Sequence, residues 1–167
     1  NELGRSFRLF AHQAEVLRLA FQFDAEGKLL WDTIIFSCDK KSGKTTLNAA
    51  ITCWWAFTQE APNELLILAN DFEQAQARVF KSLTALITKN PELACSAKMQ
   101  AKQIELTNGS TITVLASEYA GSAGSNHGLS SWDELWAYDT ESDLRLWEEL
   151  TPVPTRKNSV RFIPTYA

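Results

Sequence analysis

The chain has 167 residues, is 45% hydrophobic and carries a net charge of −4. That composition supplies one good core for a single domain, and the acidic balance argues against strong nucleic-acid binding by this piece alone. No apolar run reaches the ~20 residues of a membrane span and no signal-peptide pattern opens the chain; Cys38, Cys53 and Cys95 are too few and scattered for a disulfide framework or metal site, and read as buried or half-buried thiols in a reducing cytoplasm.

Residues 7–23 carry Phe7, Leu9, Phe10, Val16, Leu17, Leu19, Ala20, Phe21 and Phe23, and from His12 onward the spacing predicts an amphipathic helix. Asp24 to Lys28 reads as a turn and Leu29 to Ser37 as a strand. Next comes Cys38-Asp39-Lys40-Lys41-Ser42-Gly43-Lys44-Thr45-Thr46, a candidate phosphate-binding loop opening a helix from Lys44 to about Phe57. Gly43 lets the backbone approach a phosphate without a Cβ. Lys44 has the reach for β- and γ-phosphates, the Thr45 hydroxyl is a Mg²⁺ ligand candidate, and the helix N-terminus adds N–H groups and a dipole. Cys38 stands where the first glycine of such loops usually does.

Pro62-Asn63 breaks the chain, and Glu64 to Ala69 is the continuous apolar run of a buried parallel strand. Asp71 with Gln74 suggests a capping box for a helix running to about Thr88, before Asn90-Pro91. Residues 103–107 and 110–116 alternate apolar and polar around Asn108-Gly109, a hairpin signal. Residues 121–128 read as a loop, Leu129 to Asp133 as a short strand, 140–150 as a helix and Val160 to Pro164 as a last strand. Strands alternating with helices after a phosphate loop imply an α/β fold with a mostly parallel sheet.

Trp132-Asp133-Glu134 is the second candidate constellation. In a phosphate-loop fold, a second strand ends in an acid that holds the Mg²⁺ shell, and an adjacent glutamate polarises the attacking water. Asp133 and Glu134 fit those two roles. The strand before them, Leu129-Ser130-Ser131-Trp132, is less apolar than usual. Trp54-Trp55 reads as core plus interface, and His12 and His127 read as unpaired and inert. Ser122, Ser125 and Ser130 with His127 lack the nucleophile-elbow pattern of a serine hydrolase.

In this order the motifs resemble the ATPase domain of tailed-phage terminase large subunits, across nearly the whole chain. Phe10-Ala11-His12-Gln13 is similar to the family's adenine-binding segment. Phe21 to Trp31 is similar to its link into the first strand, and Lys40-Lys41-Ser42-Gly43-Lys44-Thr45 to its deviant phosphate loop. Asn70 to Ala75 resembles the stretch after the second strand. Trp132-Asp133-Glu134 resembles its acidic motif, and Arg156 to Ala167 its closing segment, with Thr165-Tyr166-Ala167 similar to the coupling motif. The resemblance implies an ASCE-type P-loop NTPase fold over a single domain, 1–167, without the nuclease domain that follows in the family. It implies Mg²⁺-dependent ATP hydrolysis driving double-stranded DNA into a procapsid in the host cytoplasm. The expected partners are a portal protein, a small terminase subunit and further copies in a ring, with a monomer allowed for the isolated chain. The implied nucleotide ligands are Gln13, Lys40, Lys41, Ser42, Gly43, Lys44, Thr45, Thr46 and Thr165; Thr45 and Asp133 take the metal; Glu134, Lys44 and Arg156 take catalytic roles. For the family's arginine finger, Lys40, Arg78, Arg145 and Arg156 are the candidates, Arg156 first. The rival readings are a helicase-type motor, a small-molecule kinase, and a scaffold whose catalysis was lost with Cys38. A kinase needs an Arg-rich lid, and residues 90–126 hold no Arg.

Overall fold

The computed structural model describes residues 7–69, 76–116 and 124–165. Its centre is a seven-stranded sheet of β1 (Thr33–Ser37), β2 (Glu64–Ala69), β3 (Ala97–Met99), β4 (Gln103–Leu106), β5 (Thr111–Ala116), β6 (His127–Trp132) and β7 (Val160–Thr165). The order across the sheet is β1-β7-β6-β2-β5-β4-β3. β1, β7, β6, β2 and β5 run parallel; β4 and β3 complete the sheet antiparallel. Leu65, Leu66, Ile67 and Leu68 are each at most 2% exposed, as a central strand covered on both faces requires. β1 lies at the edge and alternates instead: Ile34 and Phe36 are buried, whereas Thr33, Ile35 and Ser37 are exposed.

Helices α1 (Ala11–Ala20), α2 (Lys44–Thr58), α3 (Lys81–Thr88), α4 (Pro91–Ala94) and α5 (Glu141–Glu149) flank the sheet. One face carries α2 and α3, where Leu47, Ile51, Trp55 and Leu83 pack with Ile34, Ile67 and Phe162. Trp55 is fully buried there, while Trp54 stays 37% exposed and packs its edge on Phe21 at 5.3 Å. The other face carries α5, whose Leu146 joins Leu66, Leu68, Trp132, Leu150 and Ile163. Arg161 of β7 pins the end of this helix. Its guanidinium stacks 3.5 Å from the Trp147 ring and donates to the carbonyls of Trp147 and Leu150 at 2.7 and 3.0 Å. Those carbonyls lack partners within the helix. Burial pulls the Arg161 pKa down to about 10.

Several boundaries differ from the sequence expectation. The first strand starts at Thr33, because Leu29 closes a separate antiparallel bridge to Phe23 around the Asp24–Gly27 turn. The sixth strand starts earlier, at His127, and every residue in it is buried. Its two serines are satisfied internally: Ser131 Oγ donates to Asn48 Oδ1, and Ser130 Oγ accepts from Trp132 Nε1 at 3.2 Å. Burial without long aliphatics is possible because these hydroxyls have partners. The helix before Thr88 enters through a π-helical turn, Gln76–Phe80; the Asp71 cap lies outside the described residues, as do Tyr166 and Ala167. Asn90 caps the unforeseen α4 by accepting from the Glu92 and Leu93 N–H groups, and the unforeseen β3 extends the hairpin of β4 and β5. His127 is not unpaired: Nδ1 lies 3.2 Å from Ser125 Oγ, and burial lowers its pKa to about 4. His12 stacks on Phe10 at 5.8 Å.

Candidate nucleotide site

Five parallel strands place their C-terminal ends on one rim, where ligands bind in open α/β sheets. The segment after β1 bends through Lys41 (φ 66) and Gly43 (φ 84) before α2 begins. A side chain at Gly43 would be strained by that left-handed backbone. Gly43 makes no side-chain cap, and no acid stands in the first turn of α2. The first-turn N–H groups and the positive end of the helix dipole are therefore uncompensated by carboxylates, the arrangement that receives an anion.

Lys44 opens α2 and is 7% exposed. Its ammonium donates to the carbonyls of Cys38 and Asp39, both at 3.0 Å, so the charge sits inside the curl of the loop. Ser42 Oγ donates to the Asp39 carbonyl at 2.7 Å and lies 2.9 Å from Cys38 Sγ. Lys40 and Lys41 are exposed on the loop's outer side, and Thr45 and Thr46 are half-buried in the first turn of α2. Gln13 is 2% exposed. Its Nε2 donates to the Ser42 carbonyl at 3.2 Å, and its Oε1 accepts from the Phe10 N–H at 3.0 Å. The proposed adenine residue thus braces the loop, with the second hydrogen and remaining lone pair of its amide uncommitted by these two bonds.

The acids arrive from β6, two strands from β1. The Asp133 N–H donates to the Leu68 carbonyl at 3.0 Å, which fixes the residue at the rim between β2 and β7. Asp133 is 7% exposed. Burial and the neighbouring Glu134 charge raise its pKa to about 6, against the opposing pull of Arg78 and Lys44. Glu134 follows in a left-handed conformation, φ 54 and ψ 55, which costs a non-glycine residue about 1 kcal/mol. Its Oε2 accepts from Trp136 Nε1 at 2.9 Å. Thr165 ends β7 opposite Ser37, and its carbonyl accepts the Cys38 N–H at 3.2 Å. The coupling-motif candidate therefore abuts the start of the loop.

Among the described residues, no group of three His, Cys, Asp or Glu side chains gathers as a metal site. The donors present, a hydroxyl and a buried carboxylate in want of a positive charge, suit Mg²⁺, which keeps waters and binds through one or two carboxylates plus phosphates. Thr45 and Asp133 are the residues that would hold it.

Arg156 is not brought to this rim. It lies before β7, its guanidinium donating to the carbonyls of Asn126 and Pro62 at 2.7 and 3.0 Å. The length of β7 separates it from Thr165, roughly 17 Å at the usual rise. Arg145 pairs with Glu141 on the surface of α5 at 2.8 Å. Of the three arginines, Arg78 is the one whose charge reaches Asp133. Sequence reasoning passed over Asn48 and Ser131, which join α2 to β6 inside the core. Asn48 sits one helical turn beyond Lys44, and that spacing was the available signal.

No family model matches the chain, and no curated protein matches it by sequence. Solved structures do match. The HK97 bacteriophage large terminase has a TM-score of 0.80 at 19% identity, over 98% of this chain and 34% of that one. This is the large-terminase ATPase fold. The large terminase of a thermophilic bacteriophage, in complex with ADP, shares it with a TM-score of 0.66 at 13% identity, over 94% of this chain and 39% of that one. The ATPase domain of the Thermus phage P74-26 large terminase, as a mutant, gives 0.52 at 14% identity, over 95% and 70%. The chain spans little more than a third of the first two of these proteins. The mostly parallel sheet flanked by helices agrees with the α/β architecture expected from the sequence.

Proposed function

We propose that the chain is the ATPase module of a tailed-phage large terminase, hydrolysing ATP to move double-stranded DNA into a procapsid. One observation carries this: the acid-free N-terminus of α2 and the Asp133-Glu134 pair share one rim of a terminase-type sheet. The loop N–H groups and Lys44 bind the β- and γ-phosphates, with the Lys44 ammonium leaving the carbonyls of Cys38 and Asp39 to do so. Mg²⁺, when bound, supplies charge neutralisation across those phosphates. Asp133 and Thr45 would hold it, Glu134 would take the proton of the attacking water, and Arg78 would add its positive charge near Asp133. Lys40, Lys41, Ser42 and Thr46 line the phosphate path, Gln13 reads the base, and Thr165 carries the state of the loop into β7. Portal protein, small subunit and a ring of copies are the partners of such a motor, in the host cytoplasm. Arg156, held before β7 by the Asn126 and Pro62 carbonyls, serves the site of a neighbouring copy.

ATP turnover tests the reading. The chain should hydrolyse ATP with Mg²⁺ and without an acceptor molecule. Lys44→Ala should lower the rate at least a hundredfold, about 3 kcal/mol of transition-state stabilisation, and weaken nucleotide binding. Unchanged turnover in that variant removes the phosphate-loop assignment, and turnover only with an added acceptor makes the chain a kinase.

A further inference from the structure

Asn48 of α2 and Ser131 of β6 meet in the interior, and both are fully buried. The Ser131 hydroxyl donates to Asn48 Oδ1, while Asn48 Nδ2 has no acceptor among the described residues. Stability alone does not call for this pair. A buried amide donor without an acceptor is a cost, and apolar side chains of similar shape in both places remove it. What sets the pair apart is its place. Asn48 follows Lys44 by four residues and Thr45 by three, so all three lie on one side of α2. Ser131 and Asp133 share one face of their strand, since Trp132 between them packs on Trp147 of α5 on the other, ring centroids 5.1 Å apart. The bond from the Asp133 N–H to the Leu68 carbonyl carries the pairing one residue past Trp132. One helical turn from Lys44 to Asn48 spans about 6 Å, and the two residues of strand from Ser131 to Asp133 span about 7 Å. The Asn48–Ser131 bond is therefore a rung just beneath the first turn of α2 and Asp133. The two ends above it already feel each other, as the pull of the Lys44 charge on Asp133 shows.

We propose that Asn48 and Ser131 are positioning residues that set the height of Asp133 against Thr45, and so fit the two metal ligands to one Mg²⁺. The inference rests on the nucleotide-site reading and deepens it. A hydroxyl-to-amide bond has a direction that apolar contact lacks, and it fixes α2 on β6 at the level where both elements must serve one ion. Mg²⁺ demands near-ideal octahedral geometry. A small slip of helix on strand therefore weakens metal-dependent binding more than it weakens phosphate binding by Lys44 and the loop N–H groups.

Asn48→Leu combined with Ser131→Ala replaces the pair by apolar groups. The double variant should melt within about 2 °C of the parent or above it. Calorimetric titration with adenylyl imidodiphosphate, an ATP analogue that resists hydrolysis, reads the site apart from turnover. Without Mg²⁺ the variant should bind it as the parent does. The gain in affinity that Mg²⁺ brings should shrink about tenfold, and kcat for ATP should fall about as far. Ser131→Thr, which keeps the hydroxyl, should retain the gain. An undiminished gain in the double variant overturns the rung, as does a Ser131→Thr variant equally impaired. So does a joint fall in melting temperature, metal-free binding and Mg²⁺ gain, the mark of a merely structural pair. Asp133→Asn separates the rung from the reading beneath it. Loss of the gain in Asp133→Asn beside an intact gain in the double variant overturns the rung and leaves Asp133 standing as metal ligand. A parent chain that does not bind the analogue, or gains nothing from Mg²⁺, overturns the nucleotide site and the rung with it.

Discussion

Asp133 shows what a single buried carboxyl costs a site of this kind. An ordinary aspartate titrates at 3.8, and burial beside Glu134 moves Asp133 to about 6. Between those values the folded chain holds a proton that the unfolded chain has lost. Stability contributed by this group is therefore present at low pH and falls as pH rises through 6, by about 3 kcal/mol at neutrality. Asp133→Asn should raise the melting temperature of the ligand-free chain at pH 8 by about 6–10 °C, with the gain about halved at pH 5 and gone below about pH 4. The same variant should lose the rise in melting temperature that Mg²⁺ with nucleotide gives the parent. Thermal melts across that pH range, with and without ligand, check both halves; a variant that melts below its parent at pH 8 contradicts the first.

At the scale of elements, two polar contacts, one between side chains and one to backbone carbonyls, hold helices against the sheet. Ser131 and Asn48 tie α2 to β6, just behind the loop and the acids. Arg161 closes the end of α5 through two carbonyls and the Trp147 face. Replacing it with leucine removes a costly buried cation but strands both carbonyls, and the second effect wins because each unpaired buried acceptor costs about 1–3 kcal/mol. Arg161→Leu should destabilise the chain by about 2 kcal/mol in urea unfolding, with faster amide exchange at the end of α5. Equal stability in the two proteins means that α5 is held by Leu146 and Leu150 alone.

For the whole molecule, the parallel sheet separates its two ends, and that separation decides which arginine can serve which site. Arg78 is the arginine whose charge reaches Asp133, whereas Arg156 is bound at the far end. Arg78→Ala should reduce specific hydrolysis at every protein concentration, by about tenfold or more if it steadies the transferred phosphoryl group. Arg156→Ala should leave the dilute chain at the parent rate and matter only where copies associate. Rates measured across a hundredfold range of concentration distinguish the two. Loss of activity in dilute Arg156→Ala with Arg78→Ala unaffected reverses the assignment.

The local signals were legible because each is carried by a few adjacent residues. Glu64 to Ala69 is apolar without a break, so β2 was readable as a central strand. Asn108-Gly109 permits the turn that joins β4 and β5, and Gly43 followed by Lys44 and Thr45 announces the loop and its helix. The acids were legible only as a pair in sequence. That they stand at the rim follows from the β2-β6 and β6-β7 pairings, which join residues some sixty and thirty positions apart. The sixth strand looks short in sequence because Ser130 and Ser131 resemble surface residues until Trp132 and Asn48 are seen to satisfy them. In the same way Gln13 bracing Ser42, Arg161 capping α5 and the charge of Arg78 reaching Asp133 depend on what the fold brings together. The chain's own pattern thus determined the elements, their alternation and the loop chemistry, since hydrophobic period and glycine placement act locally. Which charges meet was decided by strand order alone, because a polar side chain's partner, and so its pKa and its use, is set by what packs on it from elsewhere in the chain.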